Sequence, residues 1–343
     1  MEEAKKIWVV GDIHGMYDPL KRLITELRRR EALSDEKVGK IIFIGDYIDY
    51  GPSSKEVLDL LMNLEYETVF MAGNHEDMLL HYCKKSRFYE EYGNMWFNGN
   101  GGQETVLSFN PEPGIYRKVN RHPLDTFFPD FSREFEHGDY KFGKKYMDFF
   151  LNLVYSHTET LEYEMETVKF AFSHAGLDVS RNLDDQLKLK NYDDFHSYVE
   201  KHNIYQKSFN LWSRQEPNEK YGDYILVHGH TPTEMLPEYY KNMGGYKPES
   251  GLPYFRFPEP QIRTGYEDYS DIWYFDGALA DLISINIDTG AVFGNYLTAI
   301  GFDSEISWNK RIEVIQVATG GIHRGRKSDV REYEIKVNRF GKG

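Results

Sequence analysis

KIWVVGDIHG, residues Lys6–Gly15, joins four consecutive apolar residues to a polar turn that contains Asp12 and His14. A short apolar run that ends at glycine predicts a buried strand. The arrangement returns twice, as KIIFIGDYID at Lys40–Asp49 and as TVFMAGNHE at Thr68–Glu76. The first third of the chain therefore contains three predicted strands, each followed directly by carboxylate, amide or imidazole side chains.

Apolar residues at helical spacing lie between these strands, in Asp18–Arg30 and Ser53–Leu64. Alternation of strand and helix predicts a layered α/β domain. Val168–Ser173 and Tyr224–Val227 predict two more strands, and Leu282–Ile300 predicts a hairpin. Because ligands of open α/β sheets bind at the carboxyl ends of strands, the polar residues after each strand are the candidates for function.

Composition limits the classes of function that the chain can have. Its 343 residues are enough to bury a large core, and the formal charge of −14 disfavours nucleic acid as a partner. No apolar run approaches the length of a membrane span, and the N-terminal apolar run is too short for a signal peptide. A single cysteine, Cys83, excludes an internal disulfide. We therefore expect a cytoplasmic protein that binds neither nucleic acid nor membrane.

Two stretches rich in aromatic residues, about 108–150 and 234–281, lack a clean period and are predicted insertions in a catalytic domain that spans residues 1–309. Residues 310–343 carry nine Lys and Arg against four Asp and Glu, and are predicted to form a C-terminal β-hairpin. Since the second insertion lies between two strands near the candidate site, we expect a lid that shapes substrate choice. A flap that covers a sheet edge is the alternative.

Five polar clusters follow predicted strands, and each offers Asp, Asn or His beside glycine. Carboxylate and imidazole groups are ligands for Mn, Fe or Zn where no thiolate is present. Glycine lets the backbone turn sharply enough to aim such a side chain at a metal. One such cluster alone is more often a turn or a structural histidine, whereas five in order indicate a metal site. The clusters are Gly11–Gly15, Gly45–Asp49, Gly73–Glu76, Ser173–Gly176 and His228–Thr231.

These clusters resemble the signature of the calcineurin-like metallophosphoesterases, and within them the serine/threonine protein phosphatases of the bacterial and phage lambda phosphatase-like branch. The resemblance covers most of residues 5–300 and rests on Gly-Asp-x-His-Gly, Gly-Asp-x-x-Asp and Gly-Asn-His-Glu. Trp96–Gly102 and Asn286–Ala291 also resemble stretches of the bacterial members. The fold that this implies is an α/β sandwich of two central β-sheets flanked by helices, with the aromatic-rich insertions.

The resemblance implies two divalent metal ions, with Mn²⁺ expected and Fe or Zn as alternatives. The implied ligands are Asp12 and His14 for the first ion, Asp46 for both, and Asn74, His174 and His230 for the second. His230 is preferred to His228 because the family's ligand precedes Thr-Pro, and His228 is then expected to be a core histidine. In the family's mechanism a hydroxide that bridges the metals attacks phosphorus in line, without a covalent phosphoenzyme.

The resemblance also assigns His75 as the general acid and Asp49 as the carboxylate that orients it. A histidine held by a carboxylate keeps its proton and its direction, as protonation of a leaving group needs. Phosphate contacts are expected from Arg214, Asn74 and Tyr50. Tyr50 stands where the family has an arginine, so this chain lacks one positive charge there; its hydroxyl either donates to phosphate or its ring only packs.

The implied function is a metal-dependent phosphatase acting on phosphomonoesters, either phosphorylated proteins and peptides at Ser/Thr or Tyr, or small phosphate esters. A symmetrical bis(5′-nucleosyl)-tetraphosphatase and a phosphodiesterase share the metal motifs and stay open as alternatives, although Glu76 and Asp49 fit the protein phosphatases better. A non-catalytic scaffold on the same fold is a further alternative, against which every ligand and acid position is filled.

Overall fold

The structure is a computed structural model of the chain. It describes residues 5–33, 37–84, 86, 88–109, 142–163, 166–204, 209–217, 219–236, 245–246, 253–256, 272–276, 282–303, 311–319 and 330–338. Within these residues the chain forms two β-sheets with helices packed against them, and the predicted α/β fold is confirmed. No helix among them is long and apolar enough to cross a membrane.

The described strands alternate with helices in the first third of the chain, as predicted. The strands are β1 Lys5–Val10, β2 Lys37–Phe43, β3 Thr68–Phe70, β4 His157–Tyr163, β5 Glu166–Phe172, β6 Tyr224–His228, β7 Gly245–Tyr246, β8 Tyr254–Arg256, β9 Ile272–Asp276, β10 Ser284–Asn286, β11 Tyr296–Asp303, β12 Arg311–Ala318 and β13 Val330–Asn338. The α-helices are α1 Tyr17–Leu33, α2 Ser54–Met62, α3 Asn74–Lys84, α4 Asn94–Gly99, α5 Gly102–Phe109, α6 Gly143–Leu151, α7 Leu183–Gln186, α8 Tyr192–His202 and α9 Phe209–Trp212. Single turns of 3₁₀-helix cover Thr233–Met235 and Ala291–Phe293.

The first sheet has the strand order β3-β2-β1-β11-β12-β13-β9, and the second has the order β4-β5-β6-β10-β8-β7. Strands β1, β2 and β3 run parallel, as do β5, β6 and β10. Each parallel group therefore presents its carboxyl ends at one edge of its sheet, which is where the polar clusters begin.

Strand β1 shows why the apolar runs are continuous rather than alternating. Trp8 and Val10 belong to a core that also contains buried side chains of α1, α2 and α3. Ile7 and Val9 belong to a second core, which contains side chains of β5 and β6. Successive side chains of a strand point to opposite faces, so a strand buried on both faces needs apolar residues at every position. The two cores place the first sheet between helices and the second sheet.

The hairpin predicted for Leu282–Ile300 is wrong. Strand β10 pairs with β6 and β8 in the second sheet, whereas β11 pairs with β1 and β12 in the first. The connection passes through Gly290, at φ 73°, and the 3₁₀ turn Ala291–Phe293. The spacing of apolar residues indicates that each strand is buried, but it does not indicate which strand lies beside it. The connection between β10 and β11, which passes from one sheet to the other, was therefore predicted as a hairpin turn.

The predicted insertions and C-terminal hairpin are described in part. Helix α6, at the end of the first insertion, buries Tyr146 and Phe150, and Phe142 at its N-cap is buried as well. Strands β7 and β8 extend the second sheet, and β9 pairs with β13 at the edge of the first. Strands β12 and β13 pair antiparallel and continue the first sheet. Most of both insertions lies outside the described residues, so the lid and the boundary at residue 309 stay predictions.

Candidate active site

The polar clusters after the strands of both sheets meet at one place. The backbone N–H groups of Ile13 and His14 donate to the carbonyl of Asp46, at 2.9 and 2.8 Å, which joins the loops after β1 and β2. The backbone N–H of His230 donates to the Asp12 carboxylate at 3.0 Å. This bond spans the two sheets, because Asp12 follows β1 in the first and His230 follows β6 in the second.

Two glycines allow the carboxylates to lie directly against the neighbouring backbone. A Cβ on Gly73 would stand 2.0 Å from Oδ1 of Asp46, and one on Gly229 would stand 2.2 Å from Oδ1 of Asp12. No side chain fits at such distances. Glycine is therefore required at Gly73 and Gly229, because the backbone there lies directly against the carboxylates of Asp46 and Asp12.

The backbone is strained where the candidate side chains lie. Among the described residues other than glycine, six have positive φ, and five of these belong to the site: His14, Asp46, Asp49, Tyr50 and His230. Left-handed backbone costs such residues of order 1–3 kcal/mol and persists only where the surroundings impose it. The concentration of this strain marks the site as a region held in a demanding geometry.

The histidine tautomers follow from the hydrogen bonds that their rings make. Nδ1 of His14 lies 3.0 Å from the carbonyl of Ile48, and Nδ1 of His174 lies 2.9 Å from the carbonyl of Ile44. A carbonyl accepts only, so each Nδ1 carries the proton. The Nε2 atoms then present lone pairs, and both face Asp46, whose Oδ2 lies 3.5 Å from His14 Nε2 and 3.4 Å from His174 Nε2.

Two acceptor atoms face each other at Asn74 as well, since its Oδ1 lies 3.0 Å from Nε2 of His174. The same Oδ1 lies 2.9 Å from Nδ1 of His230, a nitrogen that can donate to it. In the described structure, Oδ1 of Asp12 and Nε2 of His230 are buried without a hydrogen-bond partner. Adjacent ligands that bind one ion at about 2.1 Å lie about 3 Å apart. These oxygen and nitrogen atoms therefore fit as metal ligands. Their lone pairs repel one another when they face each other directly, whereas a cation between them would attract every lone pair.

Buried negative charge also favours cations at this place. Burial, followed by the charges of Asp288 and Asp46, raises the pKa of Asp12 well above its ordinary value. Burial raises the pKa of Asp46 too, but the neighbouring imidazoles of His174 and His75 outweigh burial and hold that pKa well below its ordinary value. Two dications would compensate the carboxylates directly and favour their ionised forms.

His75 lies beside the ligand cluster and is held by a carboxylate. Its Nδ1 donates to Oδ2 of Asp49 at 2.6 Å, and its Nε2 lies 4.0 Å from Oδ2 of Asp46. Both members of the pair are buried. The ring therefore directs Nε2 towards the cluster, which is the arrangement that a proton donor to a bound substrate needs.

Seven of the candidate side chains line a cleft of about 580 Å³, open solvent included: His14, Asp46, Tyr50, Asn74, His75, Arg214 and His230. Asp12, Asp49 and His174 are buried and are not among its lining residues. Arg214 is exposed at this cleft and forms no salt bridge within the described part of the chain. Tyr50 is half-buried, and its hydroxyl donates weakly to Oδ1 of Asn100 at 3.4 Å. Burial and the charge of Asp46 raise the pKa of Tyr50 to about 12, so its hydroxyl keeps its proton. The cleft thus combines an exposed guanidinium and a neutral hydroxyl with the ligand cluster.

The calcineurin-like phosphoesterase family profile matches residues 5–264. The chain belongs to this family. Over 97 residues, 28% of this chain and 39% of the relative, it is 39% identical to serine/threonine-protein phosphatase 2 of Escherichia coli K12. Over 74 residues, 22% of this chain and 24% of the relative, it is 35% identical to a symmetrical bis(5′-nucleosyl)-tetraphosphatase of Xylella fastidiosa. These matches span less than half of either relative.

A structural likeness extends over more of the chain. A cold-active protein-tyrosine phosphatase from a psychrophilic Shewanella species covers 95% of this chain and 80% of its own, with 13% identity and a TM-score of 0.45. This likeness carries no argument about activity. Membership of the calcineurin-like phosphoesterases confirms the resemblance read from the motifs, whereas the class of phosphate ester is a separate question.

His228 makes different contacts from the candidate ligand His230. Its Nε2 lies 3.1 Å from Oε2 of Glu216, and both side chains are buried. The amide of Asn286 donates to Glu216 and to the carbonyl of Thr231. His228 thereby pairs with a carboxylate beneath the loop that carries His230, in agreement with the core role expected for it.

A further group of histidines lies around Asp77 in α3. Oδ1 of Asp77 lies 2.9 Å from Nε2 of His196 and 3.0 Å from the hydroxyl of Tyr155, and Oδ2 lies 3.3 Å from Nε2 of His81. Each contact matches a donor with a carboxylate oxygen, unlike the facing acceptors of the metal site. This group therefore ties α3 to α8 through ordinary hydrogen bonds.

The roles of two buried carboxylates, Asp288 and Glu76, were not predicted from the sequence. Asp288 lines the cleft and accepts from the backbone N–H of Gly290 at 3.0 Å. Its position after β10 was the available signal, but the predicted hairpin assigned it to a turn. Glu76 accepts from the backbone N–H groups of Asp46, Tyr47 and Gly73, at 2.8 to 2.9 Å. This carboxylate fixes two motif loops, a role that no local sequence pattern shows.

Proposed function

We propose that this protein hydrolyses phosphate monoesters at a centre of two divalent metal ions. The observation that carries the proposal is the set of acceptor atoms that face one another around Asp46 and Asn74 at 3.0 to 3.5 Å. Family membership supports hydrolysis of a phosphoester. Mn²⁺ is the ion we propose, because carboxylate, amide and imidazole ligands suit it without thiolates.

The residues that would hold the ions divide between the two sheets. Asp12 and His14 would hold the first, Asn74, His174 and His230 the second, and Asp46 both. When bound, such ions supply Lewis acidity and lower the pKa of a water molecule that can attack phosphorus. The hydrogen bonds from His14 and His174 to backbone carbonyls fix the ligand nitrogens in advance.

Proton transfer to the leaving group is the part that the chain itself performs. We assign it to His75, whose Nδ1–H is held by Asp49 at 2.6 Å and whose Nε2, beside Asp46, would carry the proton that is transferred. Arg214 would bind phosphate oxygens, because a guanidinium donates to two of them at once. Asn74 and Tyr50, which also line the cleft, would add an amide and a hydroxyl donor.

The rim of the cleft points to the organic part of the substrate. Of the four large apolar side chains that are exposed within the described residues, two, Met235 and Phe293, line this cleft. Each lies on a short 3₁₀ turn that follows a strand of the second sheet, and the backbone N–H of Thr233 donates to the carbonyl of Asp288 at 2.9 Å, which joins the two turns. We therefore propose an aromatic group beside the phosphate, as in phosphotyrosine.

The proposal is tested by turnover of four substrates with Mn²⁺: a phosphotyrosine peptide, the same peptide with phosphoserine, a symmetrical dinucleoside tetraphosphate and an aryl phosphodiester. We expect the phosphotyrosine peptide to give the highest kcat/KM. Preferential turnover of the tetraphosphate or the diester would assign the alternative activity, and turnover of none of them would leave a binding scaffold.

Aryl leaving groups depart easily, so the contribution of the rim needs a separate comparison. Ethyl phosphate and 2-phenylethyl phosphate release alkoxides of similar basicity but differ in an aromatic ring. We expect the phenylethyl ester to have a kcat/KM about tenfold higher, and Phe293→Ala to remove that advantage. Val179→Ala is the matched control, since Val179 is also an exposed apolar residue but is not among the cleft residues. An advantage that survives Phe293→Ala and Met235→Ala would exclude this rim as the contact.

A further inference from the structure

We propose that Trp96 and Thr105 are positioning residues for acid catalysis: they hold the Asp49 carboxylate, and through it the ring of His75, in the direction that proton donation needs. The inference rests on the proposed phosphatase function. It assigns a role to Trp96–Gly102, which resembles the bacterial members of the family and which the metal chemistry leaves unexplained.

The Asp49 carboxylate is surrounded by donors. Its Oδ2 accepts from Nε1–H of Trp96 at 2.7 Å and from Nδ1–H of His75 at 2.6 Å. Its Oδ1 accepts from the hydroxyl of Thr105 at 2.6 Å, and the backbone N–H of Asp49 donates back to that hydroxyl at 2.9 Å. The donors from Trp96, His75 and Thr105 together hold the carboxylate group against rotation. The direction of its hydrogen bond to His75 is therefore fixed.

The burial of this group makes each donor matter. Asp49, Trp96 and Thr105 are all fully buried. Burial raises the pKa of Asp49 well above its ordinary value, and donation from Thr105 and from Trp96 opposes the rise. Without Thr105, Oδ1 loses its side-chain donor, and without Trp96, Oδ2 keeps His75 as its donor. A buried carboxylate that loses a donor turns towards another donor or takes up a proton. Either response would disturb the bond that orients His75.

The backbone between the two donors is packed against the second motif. Gly101, at φ 79°, leaves no room for a side chain, since a Cβ there would stand 2.4 Å from the backbone nitrogen of Tyr50. A Cβ on Gly102 would stand 2.7 Å from the ring of Trp96. The end of α4 and the start of α5 therefore lie directly on Asp49 and Tyr50, which places one donor on each side of the carboxylate.

Two conservative variants remove the donors and keep the packing. Trp96→Phe retains a ring beside Tyr82, whose ring centroid lies 5.1 Å from that of Trp96. Thr105→Val preserves shape without the hydroxyl, and Thr105→Ser restores the hydroxyl as a rescue. Phe97→Leu is the matched control for lost packing in α4, since Phe97 stacks on Tyr82 at 5.5 Å.

The readout is the dependence of kcat on the leaving group, measured with 4-nitrophenyl phosphate and 2-phenylethyl phosphate. Nitrophenolate departs with little protonation, whereas the alkoxide needs a proton from His75. We expect Trp96→Phe and Thr105→Val to lower kcat for the alkyl ester by about 10–100-fold, as misplaced catalytic groups do, with KM little changed. The loss for the nitrophenyl ester should be less than about threefold, and Thr105→Ser should recover most of the activity.

A double-mutant cycle with Asp49→Asn tests whether the effect passes through the carboxylate. In the Asp49→Asn background we expect Trp96→Phe to change kcat for the alkyl ester by less than about twofold, since residues that act as a unit are not additive. Equal losses on both esters, or full additivity in the cycle, would overturn the inference and leave Trp96 and Thr105 as core residues. Should the wild-type protein hydrolyse neither ester, the proposed function itself has failed.

Discussion

Replacing His75 by asparagine removes the proposed proton donor and leaves every candidate metal ligand in place. The backbone N–H of His75, which donates to Oδ1 of Asp46 at 3.2 Å, is unaffected by the substitution. The asparagine amide can still donate to Asp49, but it holds no proton that it can transfer at the position of the imidazole Nε2. The variant therefore separates acid catalysis from metal binding.

The size of the effect follows from what His75 contributes. General acid catalysis by a positioned side chain is worth about 10²–10⁴-fold, or about 2.7–5.5 kcal/mol of transition-state stabilisation. His75 is only 5% exposed and its partner Asp49 is fully buried, so bulk water cannot easily replace the donor. We expect the upper part of this range for an alkyl phosphate and a loss near tenfold or less for 4-nitrophenyl phosphate.

The assay measures steady-state kcat for both esters together with the metal content of the purified variant. His157→Asn is the matched control, because Nε2 of His157 also pairs with a carboxylate, that of Glu159, at 2.7 Å, but lies in β4 at the edge of the second sheet. That control should keep full activity on both esters. Losses of equal size on the two esters in His75→Asn, or a loss of metal, would refute the assignment of His75 as the acid.

Four further outcomes are expected. Asp46→Asn should lose both metals and all activity, since a neutral amide does not offset two dications; unchanged metal content by mass spectrometry would exclude a bridging role. Gly229→Ala should also lower metal content, because its Cβ would stand 2.2 Å from Oδ1 of Asp12; normal metal affinity would show that the loop can move. Tyr50→Arg should lower KM for a phosphomonoester and Tyr50→Phe should raise it, whereas two silent variants would make Tyr50 a packing residue. Burial raises the pKa of Cys83 to about 12, so its thiol should resist 5,5′-dithiobis(2-nitrobenzoate) at pH 8 until the protein unfolds; rapid reaction of the native protein would contradict its burial.

Much of the site could be predicted because the sequence places polar clusters directly after apolar runs. Asp12 and His230 are 218 positions apart, yet the carboxyl ends of β1 and β6 bring them within a hydrogen bond. Short-range pattern suffices there, because parallel strands in a layered fold have few ways to arrange their ends. The roles of the ligands came from family resemblance, and those roles remain proposals.

What could not be predicted depends on contacts between distant segments. Trp96 and Thr105 reach Asp49 from 47 and 56 positions away, and neither lies in a periodic pattern that indicates its neighbour. The same limit explains the wrong hairpin at Leu282–Ile300, where burial was visible in the sequence but the partner strands were not. The predicted hairpin also placed Asp288 in a turn, whereas the crossing from β10 to β11 brings it to the cleft.

The central claim, a phosphomonoesterase that depends on two metal ions, is tested most directly by metal titration of the chelator-treated protein. Activity on 4-nitrophenyl phosphate and bound Mn²⁺ are measured together as Mn²⁺ is added. We predict that chelation abolishes hydrolysis and that full activity returns as the bound metal reaches about two ions per chain. Activity that survives complete removal of metal, or a fully loaded protein that hydrolyses no phosphomonoester, would contradict the claim.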